Sequence, residues 1–123
     1  METESVILNK SKAFALRIIK MYKYLCADKK EFVMSKQILR SGTSIGANVR
    51  EGRRGQSIPD FVAKMSIAQK EAEETCYWLE LLYESGYISK SIFESMYKDN
   101  LEILKILSSI IISTRQNQKK NSK

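Results

Sequence analysis

Histidine is absent from the chain, and cysteine occurs only at positions 26 and 76, with no C-x-x-C spacing. A zinc site draws on about four nitrogen or sulfur ligands. This inventory therefore argues against a metal site within one chain, and no cofactor is expected. So little cysteine reads most simply as a reduced, cytoplasmic protein. There is one proline, Pro59, and there are five glycines, too few for a loop-rich or many-turned β protein. No apolar stretch with a cleavage site opens the sequence, and no run of about 18 apolar residues occurs. The expectation is a chain neither secreted by a standard signal nor spanning a membrane.

What is present favours helices. The 123 residues fit one domain, and Lys, Glu, Leu, Ile and Ala are frequent. In a first segment, from about Glu4 to Ala27, Ile7, Phe14, Ile18, Tyr22 and Leu25 recur at helical spacing, with Arg17, Lys20 and Lys23 on the other side. A second segment runs from about Met34 to Gly52. Ser57-x-x-Asp60 with Pro59 in the first turn then resembles a helix start. The third segment carries a stripe of Phe61, Met65, Ala68, Ala72, Cys76, Leu79 and Tyr83, and Gly86 stops it. The fourth starts near Ser89 or Ser91 and continues to about Thr114, with Met96, Asn100, Ile103, Leu107 and Ile110 on one face. Connections this short make neighbours antiparallel. The predicted architecture is all-α, an up-down-up-down four-helix bundle over residues 1–114, followed by a disordered basic tail over 115–123.

The stretch "QILRSGTSIGANVREGRRG" holds four of the five glycines. It fails the phosphate-loop pattern, because Gly46 is followed by Ala47 and Asn48 where G-x-x-x-x-G-K-[ST] requires a lysine; a ligand loop of another kind is the alternative to helix packing. The dinucleotide pattern G-x-G-x-x-G is missing too. Gly42 and Gly46 instead share a helical face with Ile38, Ile45 and Val49, flanked by Asn48. Each internal glycine costs about 1 kcal/mol relative to alanine. Close approach of a neighbouring helix backbone offsets that cost, so Gly42, Gly46 and Asn48 are assigned to helix packing.

Two surfaces remain once the core is filled. Ile67, Trp78 and Leu81 lie off the main stripe of the third helix, together with Glu71 and Glu74. On the fourth, Ile103, Leu104, Ile106, Leu107, Ile110 and Ile111 span about 160° on a helical wheel of 100° per residue. Self-association through this second stripe is the favoured reading, and a broad core face is the alternative. The net charge is +7, yet residues 58–88 hold two lysines against six acids. Glu71 or Glu74 is expected to pair with Arg40 or Arg50. On the second helix Lys36, Arg40, Arg50 and Arg54 align within about 80° on the same wheel, with Arg53 near the turn. This row is the candidate polyanion surface, and a plain solvated face is the alternative.

With the helices placed, "LRSGTSIGANVREG", "DFVAKMSIAQKEAEET", "WLELLYESGYI" and "SKAFALRIIKMYKYLC" together resemble the small four-helix-bundle proteins encoded in intervening sequences of bacterial 23S ribosomal RNA genes. The resemblance covers nearly the whole chain except the C-terminal tail. It implies a four-helix bundle assembled as a ring-like homopentamer. A more distant relative, the accessory protein of diversity-generating retroelements, binds nucleic acid through a basic surface. Arg40, Asn48, Glu51, Glu71 and Glu74 match the family pattern and are read as packing and interface residues. No catalytic residue carries over.

Two functions stay open on these grounds. One is a non-enzymatic, oligomeric protein that binds RNA or DNA through phosphate contacts, or acts as a scaffold. The other is a protein–protein adaptor with no nucleic-acid role, its basic face meeting an acidic protein partner. An enzyme is disfavoured. The chain lacks histidine, its helix-three carboxylates have no matching cluster on a facing helix, and Cys76 falls on the core stripe.

Overall fold

The computed structural model describes residues 2–55 and 57–121. Four helices make up the fold: α1 (Glu2–Ala27), α2 (Met34–Arg53), α3 (Ile58–Glu84) and α4 (Lys90–Asn121). Each helix packs on the next and α4 returns to α1. This is the antiparallel up-down-up-down bundle that the short connections require. No helix among the described residues is long and apolar enough to cross a membrane.

The core is built from the periodic apolar positions. Phe14, Ile18 and Leu25 of α1 meet Ile38 and Ile45 of α2, Met65, Leu79 and Leu82 of α3, and Ile103 and Leu107 of α4, all fully buried. Burial of each such side chain contributes about 1.5–3 kcal/mol. The wide apolar arc of α4 proves to be core: Ile103, Leu107, Ile110 and Ile111 are buried, and Leu104 and Ile106 pack against them half-buried. On that helix the second stripe is a broad core face.

Local chemistry sets the helix ends. Ser57 caps α3 by accepting the Asp60 N–H at 3.2 Å, with Pro59 in the first turn. Gly86, at φ +86°, closes α3: Tyr87 N–H donates to the Leu82 carbonyl at 2.8 Å and Gly86 N–H to that of Tyr83 at 3.0 Å. Only a residue tolerant of the left-handed region fits this double closure without strain. Ser89 caps α4 through the Ile92 N–H. At its other end α4 continues past Thr114 to Asn121, through most of the stretch expected as a disordered basic tail; residues 122 and 123 lie outside the described residues. Gln, Lys and Arg are good helix formers, and extending an anchored helix needs no new nucleus.

The start of α2 holds a device that sequence reading missed. Val33, in the N-cap place, makes no side-chain cap. Glu31 substitutes from outside the helix: its buried carboxylate accepts the N–H groups of Val33 and Met34 at 3.1 Å and of Ser35 at 2.7 Å. Ser35 Oγ returns a bond to the Glu31 carbonyl at 2.8 Å. Burial works against the charge, but these donors outweigh it and hold the Glu31 carboxyl below the usual carboxylate range.

Candidate polyanion groove

The glycines of α2 decide how closely α1 approaches. A Cβ built on Gly42 would stand 2.7 Å from Cγ1 of Ile18, and one on Gly46 would stand 3.3 Å from Oγ of Ser11 and 3.5 Å from its backbone. At Gly42 a core side chain occupies the space of the missing methyl group. At Gly46 the backbone of α1 itself comes near. Asn48 differs, since its amide donates to the Ser44 carbonyl at 2.8 Å within α2.

Beyond this contact α1 and α2 carry small side chains. The result is a groove of about 510 Å³ floored by Ser11 and Ala15 of α1 and Thr43, Gly46 and Ala47 of α2, with Lys12, Arg50 and Arg54 along its sides. Towards the bottom of the bundle it opens into a cleft of about 600 Å³ lined by Leu8, Asn9, Lys12, Arg50, Arg53 and Arg54. Lys12, Arg50, Arg53 and Arg54 are exposed. Among the described residues none of them has an ion-pair partner. Glu51 also lines the groove, but its carboxylate lies 3.3 Å from Lys64 Nζ on α3. Four cations thus converge without a bound counter-charge.

The structure sorts the five cations expected on α2 into three places. Arg50, Arg53 and Arg54 stand together at the groove. Lys36, in the first turn of α2, is exposed and has no ion-pair partner among the described residues; it stands roughly 20 Å from Arg50 by helical rise. Arg40 turns to the opposite flank, where Nη1 meets Glu71 Oε2 at 3.1 Å and Nη2 meets Glu74 Oε2 at 2.6 Å. The hydrogen bond to Glu74 raises the guanidinium pKa, against some desolvation and with help from Glu71. Lys12 joins the cluster from α1, a neighbour that no wheel drawn for one helix displays.

The α3 stripe sits beside that second flank. Ile67 is exposed, Trp78 and Leu81 are half-buried, and Trp78 Nε1 donates to Glu74 Oε1 at 3.4 Å. Under the stripe the Ser41 and Thr75 hydroxyls lie 2.9 Å apart and buried. Cys76 is buried against Asn100, whose amide donates to the Ala72 carbonyl at 2.7 Å and to Cys76 Sγ at 3.1 Å. Burial pushes the Cys76 thiol pKa up, away from the thiolate that reactive cysteines need. Among the described residues no three Cys, Asp or Glu side chains stand close enough to hold a metal ion.

A family model for 23S rRNA-intervening sequence proteins matches residues 3–109. A crystal structure described as a protein of unknown function from the S23 ribosomal protein family of Bacteroides thetaiotaomicron is 56% identical in sequence, with a TM-score of 0.88 over 89% of this chain and 97% of that one. No curated protein matches the chain.

Proposed function

Since the chain belongs to the 23S rRNA-intervening sequence protein family, we propose that it is a non-enzymatic nucleic-acid-binding protein that recognises RNA or DNA through phosphate. One observation carries this reading: Lys12, Arg50, Arg53 and Arg54 line a concave groove, and among the described residues none of them has an ion-pair partner. Small residues on the floor let a backbone approach, and the arginines offer forked donors suited to phosphate oxygens. Phosphate contacts of this kind position a strand without reading its sequence.

The test is binding of RNA and DNA oligonucleotides between roughly 50 and 200 mM salt. Four phosphate contacts predict that log K falls with log salt at a slope near −3 to −4 per subunit. Replacing Arg50, Arg53 and Arg54 together with Gln should flatten that slope by about three. A protein that shifts neither nucleic acid at the lowest salt refutes the reading and leaves the adaptor in its place.

We further propose self-association through Ile67, Trp78 and Leu81, with Glu71 and Glu74 fixed between them by Arg40. Five subunits is the number the family resemblance implies. Light-scattering mass measures it, and Trp78→Glu should lower the mass of the assembly. A wild-type mass equal to that of one chain refutes it.

A further inference from the structure

The α1–α2 connection turns two consecutive apolar residues outward: Phe32 is 52% exposed and Val33 72%. A single exposed apolar side chain needs no explanation. Here the backbone on both sides is fixed. Glu31 N–H donates to the Leu25 carbonyl at 3.0 Å, and the Glu31 carboxylate holds the N–H groups of Val33, Met34 and Ser35. Lys30 takes a left-handed φ of 53° to make the reversal. The loop is pinned by the residue immediately before Phe32, so the exposure of the ring is built into the turn.

Charge distinguishes this ring from the other well-exposed aromatic side chain. Tyr77, 55% exposed, lies on α3 among Glu73, Glu74 and Glu80. In sequence Phe32 is flanked by Lys29, Lys30 and Lys36, all exposed and without an ion-pair partner among the described residues. Of the loop's acids, Glu31 is turned inward and only Asp28 is exposed. The loop also leads directly into α2, the helix that carries Lys36 at this end and Arg50, Arg53 and Arg54 at the other.

We propose that Phe32 is a stacking platform for an unpaired nucleobase, which makes single-stranded nucleic acid the preferred ligand. The strand's phosphates run from the Lys29, Lys30 and Lys36 end of α2 to the α1–α2 groove. This inference rests on the nucleic-acid reading above and adds to it a preference for strands with accessible bases. An aromatic face beside lysines suits bases of any sequence, because every base offers a π face.

The experiment compares an unstructured single-stranded RNA, its DNA counterpart and the matching RNA duplex. Wild type should bind the single strands more tightly than the duplex. Phe32→Ala should weaken single-strand binding roughly 5- to 150-fold, the usual range for a lost base–aromatic stack, and change duplex binding less than about twofold. Phe32→Trp should keep the single-strand affinity, which a role in folding alone would not require. Equal losses on single strand and duplex overturn the stacking role. So does an unchanged single-strand affinity in a Phe32→Ala variant that still loses affinity when Arg50, Arg53 and Arg54 are also replaced; that result leaves the phosphate groove standing. Loss of binding to phosphatidylserine vesicles with none to RNA assigns the loop to a membrane surface instead. A fall in light-scattering mass with none in RNA affinity assigns it to subunit contact.

Discussion

The two flanks of α2 carry similar residues and offer opposite surfaces. On the α1 side, Arg50 and Arg54 stand with Lys12 beside small side chains, and among the described residues none of the three has an ion-pair partner. On the α3 side, Arg40 is held by Glu71 and Glu74. The same side chain on the same helix is a free cation in one place and half of an ion-pair cluster in the other. What differs is the neighbour: α3 is the acidic segment of a basic chain. Availability for a partner is therefore a property of a pair of helices, and charge counted along one helix overstates it.

The largest expected effect comes from removing what fixes both flanks together. Glu31→Ala leaves three N–H groups at the start of α2 without their acceptor. Loss of a cap costs about 0.5–2 kcal/mol, and partial burial places this one towards the upper end. Urea unfolding measures it. The pH dependence has a fixed sign. The folded pKa lies below the unfolded one, so the stabilisation is complete above the unfolded value near 4.5 and is lost as pH falls through the folded value. Glu31→Gln should remove that part of the acid sensitivity. An acid unfolding profile unchanged by the substitution would show that the carboxylate is not holding the loop.

A smaller effect separates positions on the α1 flank alone. Gly42→Ala gains about 1 kcal/mol of helix propensity but drives a methyl group into Ile18 at 2.7 Å. Overpacking of that kind costs about 1–3 kcal/mol, so a net loss of roughly 1 kcal/mol is expected, a few degrees in Tm. Gly46→Ala meets only Ser11 at 3.3 Å, where a small shift gives room. It should be neutral or slightly stabilising while raising the groove floor, which gives a variant that weakens phosphate approach without weakening the fold. If Gly46→Ala destabilises as much as Gly42→Ala, the backbones cannot move apart and the groove is stiffer than its open edge suggests.

Much of this was legible in the sequence. Apolar periodicity marked the four helices, Ser57 and Gly86 marked the ends of α3, and the failed phosphate-loop pattern left Gly42 to helix packing, where Ile18 now fills the place of its missing Cβ. The omissions share a cause. Glu31 caps from outside the helix through a reversed turn, so no residue next to the first apolar repeat announces it. Lys12 joins Arg50 only across the α1–α2 gap. The arc on α4 faces both α3 and α1, and width alone does not separate a broad core from a second surface. Phe32 and Val33 follow no period, and periodicity was the signal being read.

The smallest effects test the contrast between the flanks most directly. Arg50→Gln should reduce the salt exponent of nucleic-acid binding by about one, whereas Arg40→Gln should leave it nearly unchanged, because Glu71 and Glu74 already satisfy that guanidinium. Replacing both glutamates with Gln should then release Arg40. The pairs are partly exposed, so the stability change should stay below about 1 kcal/mol. Affinity for RNA should rise a few-fold, and Arg40→Gln in that background should remove the gain. This double comparison isolates the neighbours from the cation itself. If Arg40→Gln weakens binding in the unmodified chain as much as Arg50→Gln does, a polyanion competes successfully with Glu71 and Glu74, and the α3 flank belongs to the binding surface.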